Sequence, residues 1–399
     1  MSIGSVSGVR SRGWAFRSFF VVASCGITFM SDARGVAAAA PSTPRRSVDF
    51  VTVNAARGID ASTVGSLRRM SRRLGARVTV FDRGTVDLVR VTRGSVVVQR
   101  APSSMAFPLD TLAVDPLDAG ATIGSQVADV LATGAVAMSA TSARLRGAVK
   151  ADRITLRGWD GSTRTVTIGL VASDRSLDDA ELMMSQAVAA SLGFSRPFSV
   201  RIWSIPSRVR TVAAIASLRS SQREPALRVR YSWADPAAGS PLSQAQTKKL
   251  LGEFAIERRT AGRLRIDSEW ETTHLVNRVL PIIGRVRCNR IVTEAATAAL
   301  NELKDQGLAS LIHGHDSRVN GGCFNARDAR APTGTTGHNV SRHAWGAAID
   351  INPSTNRFGT PGHMPRAVIR AFRHHGFAWG GHFLIPDPTH FEYQGANIG

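Results

Sequence analysis

Lysine is almost missing from this chain. Only four of its fifty basic residues are lysines (Lys150, Lys248, Lys249 and Lys304), so arginine carries nearly all of a net charge of +20. Cysteine is scarce too, at three in 399 residues, and no two stand in a Cys-x-x-Cys spacing, which argues against thiolate zinc ligation. A hydrophobic fraction of 43% excludes a polytopic membrane protein. An arginine-rich recognition helix, a zinc finger and an aromatic stacking motif are all lacking. Nucleic acid is therefore not the expected partner, and the charge suits an anionic envelope polymer or membrane surface. At this length two folded domains are the default.

The N-terminus reads as an export segment over residues 1–40. Arg10, Arg12 and Arg17 precede an apolar run from Phe19 to Met30, and the small residues Val36 to Ala40 follow. The run is too short for a comfortable permanent span. Val22-Ala23-Ser24-Cys25 also resembles a lipoprotein box, so plain secretion, attachment through Cys25 and an uncleaved anchor all stand open. The expected location is extracellular, or associated with the wall or membrane. Cys25 lies in the export segment, which leaves Cys288 and Cys323 for an oxidising compartment. Either they pair, closing a loop of about 35 residues for roughly 3–4 kcal/mol, or they are two buried free thiols.

The expected class is α+β. Residues 41–48 read as a short linker. Residues 49–218 form a mixed α+β domain, with short β-branched strands at Val51–Val53, Val78–Phe81, Val86–Val89, Ser95–Val98, Ile154–Leu156 and Thr165–Ile168. Helices are expected over 61–74, 178–192 and 207–218, and Gly158-Trp159-Asp160-Gly161 as a hairpin turn. This half holds no His/Asp/Glu cluster and no glycine-rich phosphate loop. Residues 219–245, with Arg223-Glu224-Pro225 and Asp235 to Pro241, read as a linker. In 246–399, helices are expected at Gln246–Ile256, Val292–Lys304 and Pro365–His375, beside a small antiparallel sheet. His374 and His375 fall in a last helical turn, where they suit the dipole.

The chemistry concentrates near the C-terminus. His343 and Asp350 stand seven positions apart in Ser341-Arg342-His343-Ala344-Trp345-Gly346-Ala347-Ala348-Ile349-Asp350. An unbroken strand would put them on opposite faces, and an unbroken helix about 10 Å apart along its axis. A bend at Gly346 leading into a strand over 347–352 lets both reach one ion. In the second cluster, Asp387-Pro388-Thr389-His390-Phe391-Glu392-Tyr393, the proline forces a turn and a half-buried strand follows. His390 would complete a ligand set suited to Zn2+. Asp387 is placed to take a proton from water, and Glu392 either steadies His390 or is a surface charge. Ser341 would cap the turn or orient the site.

Ser-x-His-x-x-Gly-x-Ala-x-Asp followed by Asp-x-x-His-Phe resembles the VanY-like zinc peptidases, over roughly residues 265–399. These are D-alanyl-D-alanine carboxypeptidases and dipeptidases, with the related L-alanyl-D-glutamate endopeptidases. The resemblance implies zinc on His343, Asp350 and His390, with Asp387 as general base. It also implies an upstream arginine that holds a substrate oxygen: Arg327, in Gly321-Gly322-Cys323-Phe324-Asn325-Ala326-Arg327, with Arg318 in reserve. Trp379-Gly380-Gly381 matches the family's loop, but His382-Phe383 stands where an acid and an aromatic are usual. The implied substrate is the peptide stem of peptidoglycan. The competing expectation is a catalytically silent, zinc-containing wall-binding or signalling module. His313, His315, His338, His363 and His382 are expected to be ordinary surface imidazoles.

Overall fold

The β-branched runs after Asp49 assemble into one large mixed sheet. The computed structural model describes residues 49–55, 58–194, 197–221, 227–234, 242–313, 322–329, 339–383 and 385–395. The export segment with Cys25, the linker 41–48, Arg223-Glu224-Pro225, the stretch from Asp235 to Pro241, His315, Arg318 and His338 lie outside the described residues. The strand order is Leu227–Tyr231, Phe50–Ala55, Ser199–Trp203, Arg77–Arg93, Phe107–Val114, Leu182–Ser185, Val136–Ser139, Thr163–Ala172 and Arg153–Arg157. Arg153–Arg157 pairs back onto Arg77–Arg93, with Leu88 opposite Leu156 and Val91 opposite Ile154. The strands from Arg77–Arg93 onward thus close into a ring, which leaves them no free edge. Val86, Leu88, Leu109, Met138, Ile154 and Ile168 form its buried cluster.

Four expectations change. The helix expected over Gln246–Ile256 ends at Leu251, before Gly252, and Ile256 opens the strand Ile256–Arg258. Val78–Phe81 and Val86–Val89 belong to one strand of 17 residues that runs through Gly84, because ladder partners on the neighbouring strands hold the backbone extended there. The expected helix 178–192 gives way to a strand, Leu182–Ser185, and a short helix, Gln186–Ala190. Leu182, Met183 and Met184 are fully buried between Phe107–Val114 and Val136–Ser139, so sheet packing overrides helix propensity. The stretch 219–245 is not wholly a linker. It holds the end of helix Arg208–Ser221, the strand Leu227–Tyr231 and the start of helix Gln244–Leu251. Leu227–Tyr231 pairs with Phe50–Ala55, Val229 opposite Val53. Its alternation of apolar residue and arginine is a period-two signal that the surrounding breakers mask.

In the C-terminal part, helix Arg290–Asp305 starts on Asn289, whose side chain accepts from the Ile291 N–H. Val292, Ala296, Ala299, Leu300 and Leu303 form its buried stripe, at the expected helical spacing. It packs on helix Arg366–His374, which leads into a three-stranded antiparallel sheet ordered Ala348–Asp350, His390–Tyr393, Phe377–Trp379. Trp345, Phe372 and Phe391 fill the core. Cys288 and Cys323 are joined in a buried disulfide.

The described residues from Asp49 onward form one compact unit. Residues 49–231 and 242–395 meet across buried charges. Lys248 Nζ lies 2.9 Å from Glu181 Oε1 and 2.9 Å from Glu253 Oε1. Arg146 bonds Glu253, and Gln244 Nε2 donates to Glu181 at 2.7 Å. Two more contacts cross to the loops around the site. Thr85 Oγ1 donates to Asn339 Oδ1 at 2.8 Å, and Arg230 donates to the His382 carbonyl at 3.0 Å.

Candidate metal centre

The first motif folds as a capped turn. The Ser341 hydroxyl accepts from the His343 N–H at 3.3 Å, starting a single turn over Arg342–Trp345. Gly346 ends it at φ 63°, and its carbonyl accepts from the Asn289 N–H at 3.0 Å. A Cβ there would meet Asn289 N at 2.6 Å, so both the left-handed backbone and the close approach require glycine. Trp345, fully buried, anchors the turn from below, its indole N–H donating to the Gly252 carbonyl at 3.1 Å. Chain reversal at Gly346 then feeds strand Ala348–Asp350.

That strand lies beside His390–Tyr393 with Asp350 directly opposite His390. Cross-strand neighbours on one face stand within reach of each other. His343, from the turn, completes the group. His343 Nε2 and His390 Nδ1 each lie 3.2 Å from Asp350 Oδ1. Donors around a tetrahedral ion with bonds of about 2.0–2.2 Å stand roughly 3.3–3.6 Å apart; the two separations to Asp350 are close to that, and all three donor atoms lie within 4.8 Å of one another. His343 and His390 are buried and Asp350 is partly exposed, which leaves one side open.

The far side of each imidazole is also held. His343 Nδ1 faces the Cys323 carbonyl at 3.2 Å, so Nδ1 keeps its proton there and Nε2, which bonds Asp350 when protonated, is the nitrogen available to an ion when it is not. His390 Nε2 faces Glu392 Oε2 at 3.3 Å, which leaves Nδ1 for the ion. Glu392 is fixed in turn by Gln394 Nε2 at 3.0 Å, with Arg342 Nε at 3.9 Å. Such outer partners set ring orientation and basicity at metal sites. Sequence reasoning placed Glu392 beside His390 but missed the Cys323 carbonyl and Gln394. A backbone carbonyl leaves no signal in residue identity.

The titration pattern reflects this crowding. Burial works against charge on Asp350, but the His343 charge and bonds from both imidazoles hold its carboxyl well below the usual range. Burial also opposes charge on His390, yet hydrogen bonds to Asp350 and Glu392 push it up to about 10. Burial likewise disfavours charge on Glu392, and the His390 bond together with the Arg342 charge lowers it. A proton and a metal ion compete for the same His390 nitrogen.

Asp387 and Arg327 line the same cleft as His390, together with Ser341, Arg342 and Phe383. Asp387 sits on a tight turn. Its N–H donates to the Gly380 carbonyl at 2.8 Å, and its carbonyl accepts from the His390 N–H at 3.0 Å. A Cβ on Gly380 would lie 2.4 Å from the Asp387 carbonyl oxygen, so glycine is needed there. Trp379 braces the turn through its indole N–H to the Pro388 carbonyl at 2.8 Å. Arg327 is positioned by its carbonyl, which accepts from the Ser341 N–H at 3.1 Å. Among the described residues, His313, His363 and His382 bring no donor atom to this group.

Residues 334–393 match the family model described as D-alanyl-D-alanine carboxypeptidase. The C-terminal part is thus similar to a VanY-like peptidase segment. The match takes in His343, Asp350, Asp387, His390 and Glu392. Arg327, Cys288 and Cys323 fall before it. Comparison with curated proteins gives no match. The match supports a peptidase, and the His343–Asp350–His390 group is a possible metal site within it.

Proposed function

We propose that the protein is an exported zinc peptidase that hydrolyses amide bonds in the peptide stems of peptidoglycan. The observation that carries this reading is the convergence of His343, Asp350 and His390, with both outer imidazole nitrogens occupied, beside a cleft that holds a further carboxylate. Two nitrogens and one oxygen suit zinc, and three protein ligands characterise catalytic rather than structural sites. The chemistry such an ion supplies when bound is Lewis acidity and activation of water.

The chain's own residues supply the rest. Asp387 takes the proton of the attacking water and returns it to the leaving amine. Arg327 holds the substrate's terminal carboxylate or the developing oxyanion. Ser341 and Gly346 fix the turn that aims His343, and Glu392 keeps His390 in one orientation. Phe383 flanks His390, with ring centroids 5.9 Å apart, and narrows the cleft. A net charge of +20 draws the protein to anionic envelope polymers. The residues of the N-terminal export signal suit delivery to that compartment.

The test is digestion of purified muropeptides, with products weighed by mass spectrometry, for wild type and Asp387→Ala. The reading expects cleavage by wild type and a loss of about 10²–10⁴-fold in D387A with zinc content unchanged. A zinc-loaded wild type that cleaves no muropeptide would instead support a silent wall-binding module.

A further inference from the structure

A second group of metal-ligating side chains lies away from the cleft. His374 ends helix Arg366–His374 and His375 follows it. Both turn toward Glu302 on the neighbouring helix Arg290–Asp305. His374 Nδ1 lies 2.8 Å and His375 Nε2 2.9 Å from the same oxygen, Glu302 Oε2. The two imidazole centroids are 4.7 Å apart. The other carboxylate oxygen is held by Gln306 Nε2 at 3.4 Å, one turn along the same helix. We propose that Glu302, His374 and His375 form a second, surface site for a divalent transition-metal ion of zinc, nickel or copper type.

Three arguments support the assignment. Two imidazoles and one carboxylate are a donor set for borderline ions rather than for calcium or magnesium. All three donor atoms lie within 4.8 Å of one another, and opening each nitrogen–oxygen distance by about half an ångström brings it to tetrahedral separation. Both imidazoles sit at a helix C-terminus, where the backbone carbonyls favour a cation. The plain alternative is a pair of His–Glu ion pairs. It accounts for a lowered Glu302 carboxyl, caused chiefly by its hydrogen bond from His374, but it does not require both nitrogens to share one oxygen. A groove lined by Arg290, Glu294, Ala298 and Tyr393 gives an ion access from solvent. The ion would clamp the two helices behind the strand Phe377–Trp379, so its role is structural and separate from hydrolysis.

The test counts ions. Purified full-length protein is titrated with zinc by equilibrium dialysis at neutral pH, alongside H374A/H375A and H343A/H390A. The side chains of His374 and His375 are 73% and 25% exposed at a helix end, and circular dichroism and the thermal midpoint of the first variant verify that it folds. The expected result is two ions in wild type and one in each variant, with hydrolysis preserved in H374A/H375A. In H343A/H390A, Glu302→Gln should then weaken the remaining ion. The proposal is overturned if folded H343A/H390A binds none, or if H374A/H375A binds as many as wild type. A wild type whose single ion disappears in H374A/H375A would support this site and sink the proposed active centre, so the two readings fail separately.

Discussion

Two buried clusters of ionisable groups invite comparison. One joins residues 49–231 to 242–395 and contains Arg146, Glu181, Lys248 and Glu253. The other contains His343, Asp350, His390 and Glu392. In the first, an arginine and a lysine face two carboxylates, and the side chains are at most 8% exposed. Every charge is balanced in place, and the cluster can do little except hold. In the second the basic members are imidazoles, a side chain that can take either a proton or a metal ion. Similar burial therefore gives rigidity in one region and chemistry in the other, and the difference lies in which bases were used.

Breaking the first cluster should cost the most stability. Glu253→Ala leaves Arg146 and Lys248 short of a partner in the interior, for a loss of about 3–5 kcal/mol in urea unfolding. Glu253 also sets a pH dependence. Burial raises its carboxyl, but the charges of Arg146 and Lys248 outweigh this and hold it below the ordinary glutamate range. Its contribution is thus complete above the unfolded value and disappears as pH falls through the lower folded value. Unfolding free energy measured from pH 7 down to pH 3 should fall less steeply in Glu253→Gln than in wild type.

The disulfide comes next. Replacing Cys288 and Cys323 with serine removes a link across 35 residues, at a cost of about 3–4 kcal/mol in the chain-entropy view. It also disturbs the carbonyl that holds His343, so zinc affinity should fall with stability. The same double replacement with zinc affinity intact would show that the Cys323 carbonyl is not what orients the imidazole.

Sharper and smaller effects belong to the second cluster. Glu392→Gln should weaken zinc by about 10–100-fold while leaving the fold intact, as loss of an outer partner does at metal sites. Zinc uptake at pH 8 should release a proton, because His390 is pushed up to about 10 without metal. Calorimetry in buffers of different ionisation enthalpy reads this directly. Ser341→Ala should cost only about 1 kcal/mol of stability, the usual value of a capping hydroxyl.

The C-terminal part was the more legible half. Its helices Arg290–Asp305 and Arg366–His374 carry regular apolar stripes, and the spacing from His343 to Asp350 demanded a bend at Gly346. Asp387 and Arg327, which the resemblance singled out, line one cleft with His390. What sequence alone could not give were backbone partners and long-range pairings. The Cys323 carbonyl has no residue signature. Leu182–Ser185 reads as helix until the strands on either side are known. Leu227–Tyr231 hides among breakers until Phe50–Ala55 supplies its ladder. Glu302 stands 72 residues before His374, too far for any local pattern to connect them.

The most direct test of the central claim is X-ray absorption at the zinc edge, on H374A/H375A protein loaded with one equivalent of zinc. The account predicts two imidazole nitrogens and one carboxylate oxygen from the protein, with a lighter-atom ligand completing four. A spectrum without imidazole scattering, or protein that retains no zinc after dialysis, would contradict it.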